Sequence, residues 1–172
     1  MLPVLCLINF KSLKMKKIIL LVTVVLTTTL SAQIKIGDTL PMITLKDSNN
    51  HEFIVSTTSQ KFTLVDFWGS YCAPCRRTNK ELVTLNETYG NQNFQIIGIS
   101  LDTDKAKWLK AIEKDKIEYL QLNDPSSFDA PTAIRFGVEQ LPASFLFDPS
   151  GKLIAINPTP QQISNILNLK YK

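Results

Sequence analysis

The chain offers little for metal binding: His51 is its only histidine, and Cys6, Cys72 and Cys75 are its only cysteines in 172 residues. A structural zinc site on Cys72 and Cys75 would need two further ligands, and once Cys6 is set aside with the N-terminal leader only His51 remains. An excess of one charge is also missing where it would matter. Lysine and arginine number 19 against 15 aspartates and glutamates, and Lys11, Lys14, Lys16 and Lys17 account for the whole difference. From Gln33 onward the chain is neutral, so it has no electrostatic footprint for a phosphate backbone, and no nucleic-acid partner is expected. Long apolar runs are absent too. Ile18 to Leu26 is about nine residues before threonines intervene, against the ~20 of a spanning helix. Six glycines and nine prolines are scattered without repeat or linker, which leaves room for one ordinary domain.

What the N-terminus does have is the three-part order of an export signal. Met15-Lys16-Lys17 is a charged start, Ile18 to Leu26 an apolar middle, and Leu30-Ser31-Ala32 a small-residue cleavage site. Residues 1–32 are therefore expected to be a signal peptide, with 1–14 an over-extended start, and residues 33–172 the mature domain. An uncleaved leader would leave the same domain anchored at the membrane, again outside the cytoplasm. Cys6 falls in the leader, so the mature chain retains two cysteines.

From Ile34 the pattern alternates strand and helix, which predicts an α/β fold with parallel strands covered by helices. Phe62 to Trp68 and Phe94 to Ser100 read as buried strands. Leu82, Leu85 and Tyr89 recur at helical spacing after Cys75, and Gly90 is placed to end that helix. Asp102 or Thr103 is expected to cap a second helix that buries Trp108, Leu109 and Ile112. Glu118 to Leu122 suggests a further strand, and Pro131 suits the first turn of a short helix stopping at Gly137. Ser144 to Phe147 and Lys152 to Ile156 form a hairpin through Asp148-Pro149-Ser150-Gly151. Thr159, Pro160 and Gln162 open the last helix with a capping box, turning Ile163, Ile166 and Leu167 inward. Upstream, Met42 to Leu45 and Glu52 to Val55 make an additional N-terminal hairpin.

The chemistry sits in Cys72-Ala73-Pro74-Cys75, at the junction of the first buried strand and its helix. There the first cysteine meets helix dipoles and unpaired N–H groups that favour the thiolate, the nucleophilic form. Arg76 and Arg77 would favour it further, and Pro74 stiffens the first turn without removing a helical hydrogen bond. Cys75 is close enough to resolve a mixed disulfide formed on Cys72. An inert structural disulfide is the competing reading, although bridges of that kind rarely join residues three apart across a helix start.

Val65-Asp66-Phe67-Trp68-Gly69-Ser70-Tyr71-Cys72-Ala73-Pro74-Cys75-Arg76 closely resembles the active-site segment of the thioredoxin superfamily. The whole of Ile34 to Lys170 resembles its exported TlpA/ResA-type branch, through the upstream hairpin, Gly98-Ile99-Ser100-Leu101-Asp102, Phe136-Gly137-Val138 and Leu141-Pro142. That resemblance implies a thioredoxin fold with an N-terminal β-hairpin and an inserted helix–strand element. It implies a thiol:disulfide oxidoreductase that needs no cofactor beyond its own Cys72–Cys75 disulfide. Pro142 would be the cis-proline facing the cysteines, with Leu141 offering its backbone to an extended substrate. Asp66 would be the buried acid that takes the Cys75 proton, since a desolvated carboxylate has a raised pKa. Tyr71, Ala73 and Pro74 would form the rim on which a substrate docks, joined there by Trp68 unless that indole belongs to the core, as a Trp beside a buried strand at least as often does. Thr78 stands where related chains carry Glu, with Glu81 one turn further, and Tyr71 stands where Trp is usual.

The expected partners are disulfide-containing proteins and a membrane thiol donor, with the protein a periplasmic monomer acting as a reductant, in cytochrome c maturation or general redox homeostasis. Two rivals share the fold. A peroxiredoxin wants Thr three residues before its nucleophile, where this chain has Gly69; a Sco-type copper carrier spaces its cysteines by three and adds a later histidine. A non-catalytic binding module is the alternative from another class. His51 is expected to be a solvated surface residue.

Overall fold

The computed structural model describes residues 33–56 and 60–170. The leader readings therefore lie outside the described residues. The elements run β1 (Ile43–Asp47), β2 (Glu52–Val55), β3 (Phe62–Trp68), α1 (Ala73–Tyr89), β4 (Phe94–Ser100), α2 (Lys105–Asp115), β5 (Leu120–Asn123), a 3-10 turn (Ser127–Asp129), α3 (Pro131–Phe136), β6 (Ala143–Phe147), β7 (Leu153–Ile156) and α4 (Pro160–Lys170).

The seven strands form one mixed sheet in the order β2-β1-β5-β4-β3-β6-β7. β3, β4 and β5 are parallel at its centre, and β1, β6 and β7 join antiparallel. Parallel strands covered on both faces are apolar throughout, which is why β3 is buried at all seven positions. One face packs α1, α2 and α4 through Leu82, Leu85, Trp108, Ala111, Ile163 and Leu167. The other face packs α3 through Ala133 and Phe136, whose ring meets Phe67, Phe145 and Phe147. This is the thioredoxin fold, with β1–β2 as the N-terminal hairpin and α2–β5 as the inserted helix and strand.

Local signals decide the element ends. Thr159 and Gln162 make the reciprocal capping bonds, with Gln162 Oε1 accepting from the Thr159 N–H at 2.8 Å and the Gln162 N–H donating to Thr159 Oγ1 at 3.3 Å. Gly137 ends α3 at φ 69°, a left-handed position that favours glycine. Gly90 ends α1 for a different reason than expected. It is right-handed, and a Cβ there would lie 2.5 Å from the Asn86 carbonyl oxygen, so close approach rather than backbone handedness selects glycine.

Three expectations need correction. α2 is capped by Asp104, whose carboxylate accepts from the Ala106 and Lys107 N–H groups, not by Asp102 or Thr103. Leu109 faces outward at 36% exposure. The inserted strand is Leu120–Asn123, two residues later than the apolar pattern suggests. His51 is exposed, and its ring lies 3.3 Å from Asp47 across the β1–β2 turn. No helix among the described residues is long and apolar enough to cross a membrane.

Candidate active site

β3 ends at Trp68, and three residues of turn carry the chain to Cys72, the N-cap of α1. The Cys75 N–H donates to Cys72 Sγ at 3.2 Å, so the first cysteine accepts a helix-terminal hydrogen bond in place of an oxygen cap. The two cysteines are joined as a disulfide. Cys75 is 1% exposed and Cys72 8%, so attack from outside falls on Cys72. Ala73 and Pro74 are exposed beside it.

The sheet brings the other end of the site together. Phe67 on β3 is opposite Ala143 on β6, which sets Leu141-Pro142 beside the β3 exit and the cysteine turn. The Leu141–Pro142 peptide is cis, Pro142 is exposed, and Leu141 packs partly buried against the cluster that holds Cys72 and Cys75. A groove of about 490 Å³ runs on from Pro142 along Phe136, Val138 and Glu139.

β4 ends at the same edge and supplies a residue that the local pattern misassigns. Asp102, 2% exposed, accepts from the Ser70 N–H at 2.8 Å, from Ser70 Oγ and from Ser100 Oγ at 2.7 Å. It is an anchor for the turn that presents Cys72, not a helix cap. Arg76 is a second correction. Its guanidinium forms a two-point ion pair with Asp115 of α2 and also donates to the Ser70 carbonyl at 3.3 Å. Its charge is thereby spent on Asp115, which also accepts from Asn79 Nδ2 at 3.0 Å. Burial raises the Asp115 carboxyl, but the bonds from Arg76 and Asn79 outweigh it and hold the group below the usual carboxylate range. Arg77 is exposed.

Asp66 lies mid-strand in β3, 3% exposed. It alternates with Leu64 and Trp68, which belong to the cluster containing Cys75, so its side chain is on the face beneath the cysteines. Burial pushes its carboxyl up to about 8, with no hydrogen bond or counter-charge offsetting the desolvation. Trp68 corrects the expectation of a docking rim: it is 1% exposed, and its Nε1 donates to Gln121 Oε1 at 2.9 Å, which makes it a core side chain. Tyr71 does stand at the surface, 59% exposed, its ring folded over Gly69, where a Cβ would lie 2.8 Å from it. Thr78 donates to the Pro74 carbonyl at 3.3 Å and brings no ionisable group, and Glu81 is exposed. Asp115 and Gln121 are not legible as site neighbours, since each reaches the site only through packing between elements distant in sequence, and Asn79, one turn after Cys75, gains its partner only when α2 brings Asp115 against it. No cluster of metal-ligating side chains occurs among the described residues.

A Cys-x-x-Cys disulfide at the N-terminus of a helix, on a mixed sheet with a cis-proline opposite, defines a thioredoxin-like thiol–disulfide oxidoreductase. The chain belongs to the AhpC/TSA family, whose model matches residues 36–156. Among its relatives, the thiol-disulfide oxidoreductase ResA of Bacillus cereus is 28% identical over 125 residues, covering 71% of this chain and 69% of the relative. Among solved structures, a thiol-disulfide oxidoreductase from Bacteroides fragilis is 29% identical with a TM-score of 0.71, covering 77% of this chain and 99% of that one. The thioredoxin domain of an oxidoreductase from Bacteroides vulgatus is 26% identical with a TM-score of 0.73, covering 81% and 100%.

Proposed function

We propose that this oxidoreductase works outside the cytoplasm as a reductant of protein disulfides, through Cys72 as nucleophile and Cys75 as resolving thiol. The observation that carries the reading is the contrast between the two sulfurs. Cys72 caps a helix and accepts its N–H, whereas Cys75 is buried on the face that holds Asp66. In the reduced protein the Cys72 thiolate attacks one sulfur of the substrate disulfide; that S–S bond breaks, and a substrate thiolate leaves and takes a proton. Asp66 as carboxylate accepts the Cys75 proton, and the Cys75 thiolate attacks Cys72 Sγ. The Cys72–Cys75 bond forms, the second substrate thiolate departs, and two electrons have passed to the substrate. A membrane thiol carrier returns two electrons to the pair. Leu141, at the cis-Pro142 step, offers backbone to an extended substrate segment, with Tyr71, Ala73 and Pro74 flanking the reacting sulfur. No resident cofactor enters the cycle, and the protein acts as a monomer. Apocytochrome c is one client class that the likeness to ResA favours.

The test is equilibration of the purified chain in graded glutathione and dithiothreitol buffers, with the Cys72/Cys75 state read by alkylation and peptide mass. A reversible two-electron couple near or below the glutathione potential supports a reductant. A strongly oxidising couple reverses the direction, and a pair that never cycles makes the protein a binding module instead.

A further inference from the structure

Gln121 lies one strand beyond Gly98, and both face the side of the sheet that holds the cysteines. The register runs Ser144, Asp66, Gly98, Gln121 across β6, β3, β4 and β5. Because Gly98 has no side chain, the Gln121 carboxamide folds over it: a Cβ at Gly98 would lie 2.2 Å from Nε2 and 2.6 Å from Oε1. Adjacent strands are about 4.8 Å apart, so an amide lying over β4 is roughly that distance from the Asp66 strand. The amide's orientation is set by chemistry. Trp68 Nε1 can only donate, so the atom it meets at 2.9 Å must be the oxygen, and Nε2 is turned the other way. Nε2 is buried and has no hydrogen-bond partner among the described residues, in a side chain 6% exposed. A buried donor without an acceptor is unfavourable, so its presence calls for a role.

We propose that Gln121 is a positioning residue whose Nε2 donates, directly or through one water, to the Asp66 carboxylate once Asp66 has lost its proton. This rests on reading Asp66 as the base for Cys75. Trp68 engages Oε1, which leaves Nε2 as the end of the amide that the Asp66 carboxylate attracts, and Gly98 provides the space. The other groups around this face are accounted for. Tyr119, just before β5, feels the charge of Asp66 but is a neutral phenol, Cys75 on α1 is the thiol to be deprotonated, and Asp115 on α2 is neutralised by Arg76. Ser144 and Gly98 do not titrate, and α4 presents the apolar Ile163, Ile166 and Leu167 to this core. Gln121 is then a neutral donor beside the acid, limiting how far burial can hold its proton.

The experiment follows the Asp66 carboxyl carbon by NMR against pH in the disulfide form of the full chain, in the native protein, Gln121→Met and Trp68→Phe. Met keeps the volume and loses the donor; Phe frees the amide oxygen and leaves the donor in place. The Asp66 midpoint is expected to rise by about one pH unit, tenfold in proton affinity, in Gln121→Met and to stay within about 0.3 in Trp68→Phe. An unmoved midpoint in Gln121→Met, or equal shifts in both variants, would overturn the proposal. Resolution kinetics of Asp66→Asn test the base reading separately: an unchanged pH–rate profile removes Asp66 from the mechanism, while the carboxyl titration still decides the Gln121 hydrogen bond.

Discussion

Asp66→Asn is the substitution that isolates the electrostatics of this fold. In the unfolded chain an aspartate titrates near 3.8, whereas the folded protein raises Asp66 to about 8. The folded state therefore holds a proton that the unfolded state has released, over the whole interval between those values. Stability is unpenalised at and below the unfolded value, falls as pH rises through the interval, and levels off above the folded value. At about 1.4 kcal/mol per pH unit, the native protein should lose about 4 kcal/mol relative to Asp66→Asn between pH 5 and pH 8. The constant effect of burying an amide, and every group common to both proteins, cancels in that difference. Urea unfolding of the disulfide forms at pH 5, 6, 7 and 8 measures it directly. Two stability curves that stay parallel from pH 5 to 8 would refute the reasoning, because they would mean Asp66 is already ionised in the folded chain.

The same arrangement makes other outcomes testable. Cys75→Ser should leave Cys72 competent to attack and unable to be released, so a mixed disulfide with substrate accumulates on a non-reducing gel and disappears on adding dithiothreitol. Arg76→Ala strips the partner from Asp115, whose side chain is 4% exposed, and should destabilise the fold by about 3–5 kcal/mol at pH 7. Because the pairing holds Asp115 below its unfolded value, that stabilisation is present above the unfolded carboxylate range and is lost as pH falls through the folded one, so the two proteins should converge in acid. Tyr71→Ala removes a ring that is mostly in solvent, so unfolding should move by no more than about 0.5 kcal/mol while KM for a protein substrate rises and turnover of a small disulfide is retained.

How far these features can be read from the sequence depends on whether their cause is local. The Thr159–Gln162 box, the Gly137 stop and the apolar run of β3 are written in neighbouring residues, and the structure follows them. Asp102 and Asp104 are equally plausible caps by spacing. What separates them is Ser70, 32 residues away, which engages Asp102 and leaves Asp104 for the helix. Trp68 fails for a related reason. A strand buried on both faces has no alternation, so nothing in Phe62 to Trp68 says which way the indole turns; its partner, Gln121, is 53 residues on. Arg76 looks free to act on Cys72 until α2 brings Asp115 against it.

These long-range pairs share a logic that bears on why the site tolerates its own instability. An aspartate in the middle of an all-buried strand opposes folding at neutral pH, and a leucine there would pack with Leu64, Ile96 and Leu146 on the same face. The compensations lie beside it rather than on it: Asp102 ties down Ser70, and Arg76 bridges α1 to α2 through Asp115 while reaching the same Ser70 carbonyl. The turn carrying Cys72 is thus held from two sides, by the hydrogen-bonded Asp102 carboxylate and by the Arg76–Asp115 ion pair. Asp66, whose desolvation no counter-charge offsets, lies beneath Cys75, where a change of charge can accompany thiol chemistry. Substitutions at Asp102 and Arg76 are therefore expected to change stability, and those at Asp66 or Gln121 to move the pH at which Cys75 releases its proton.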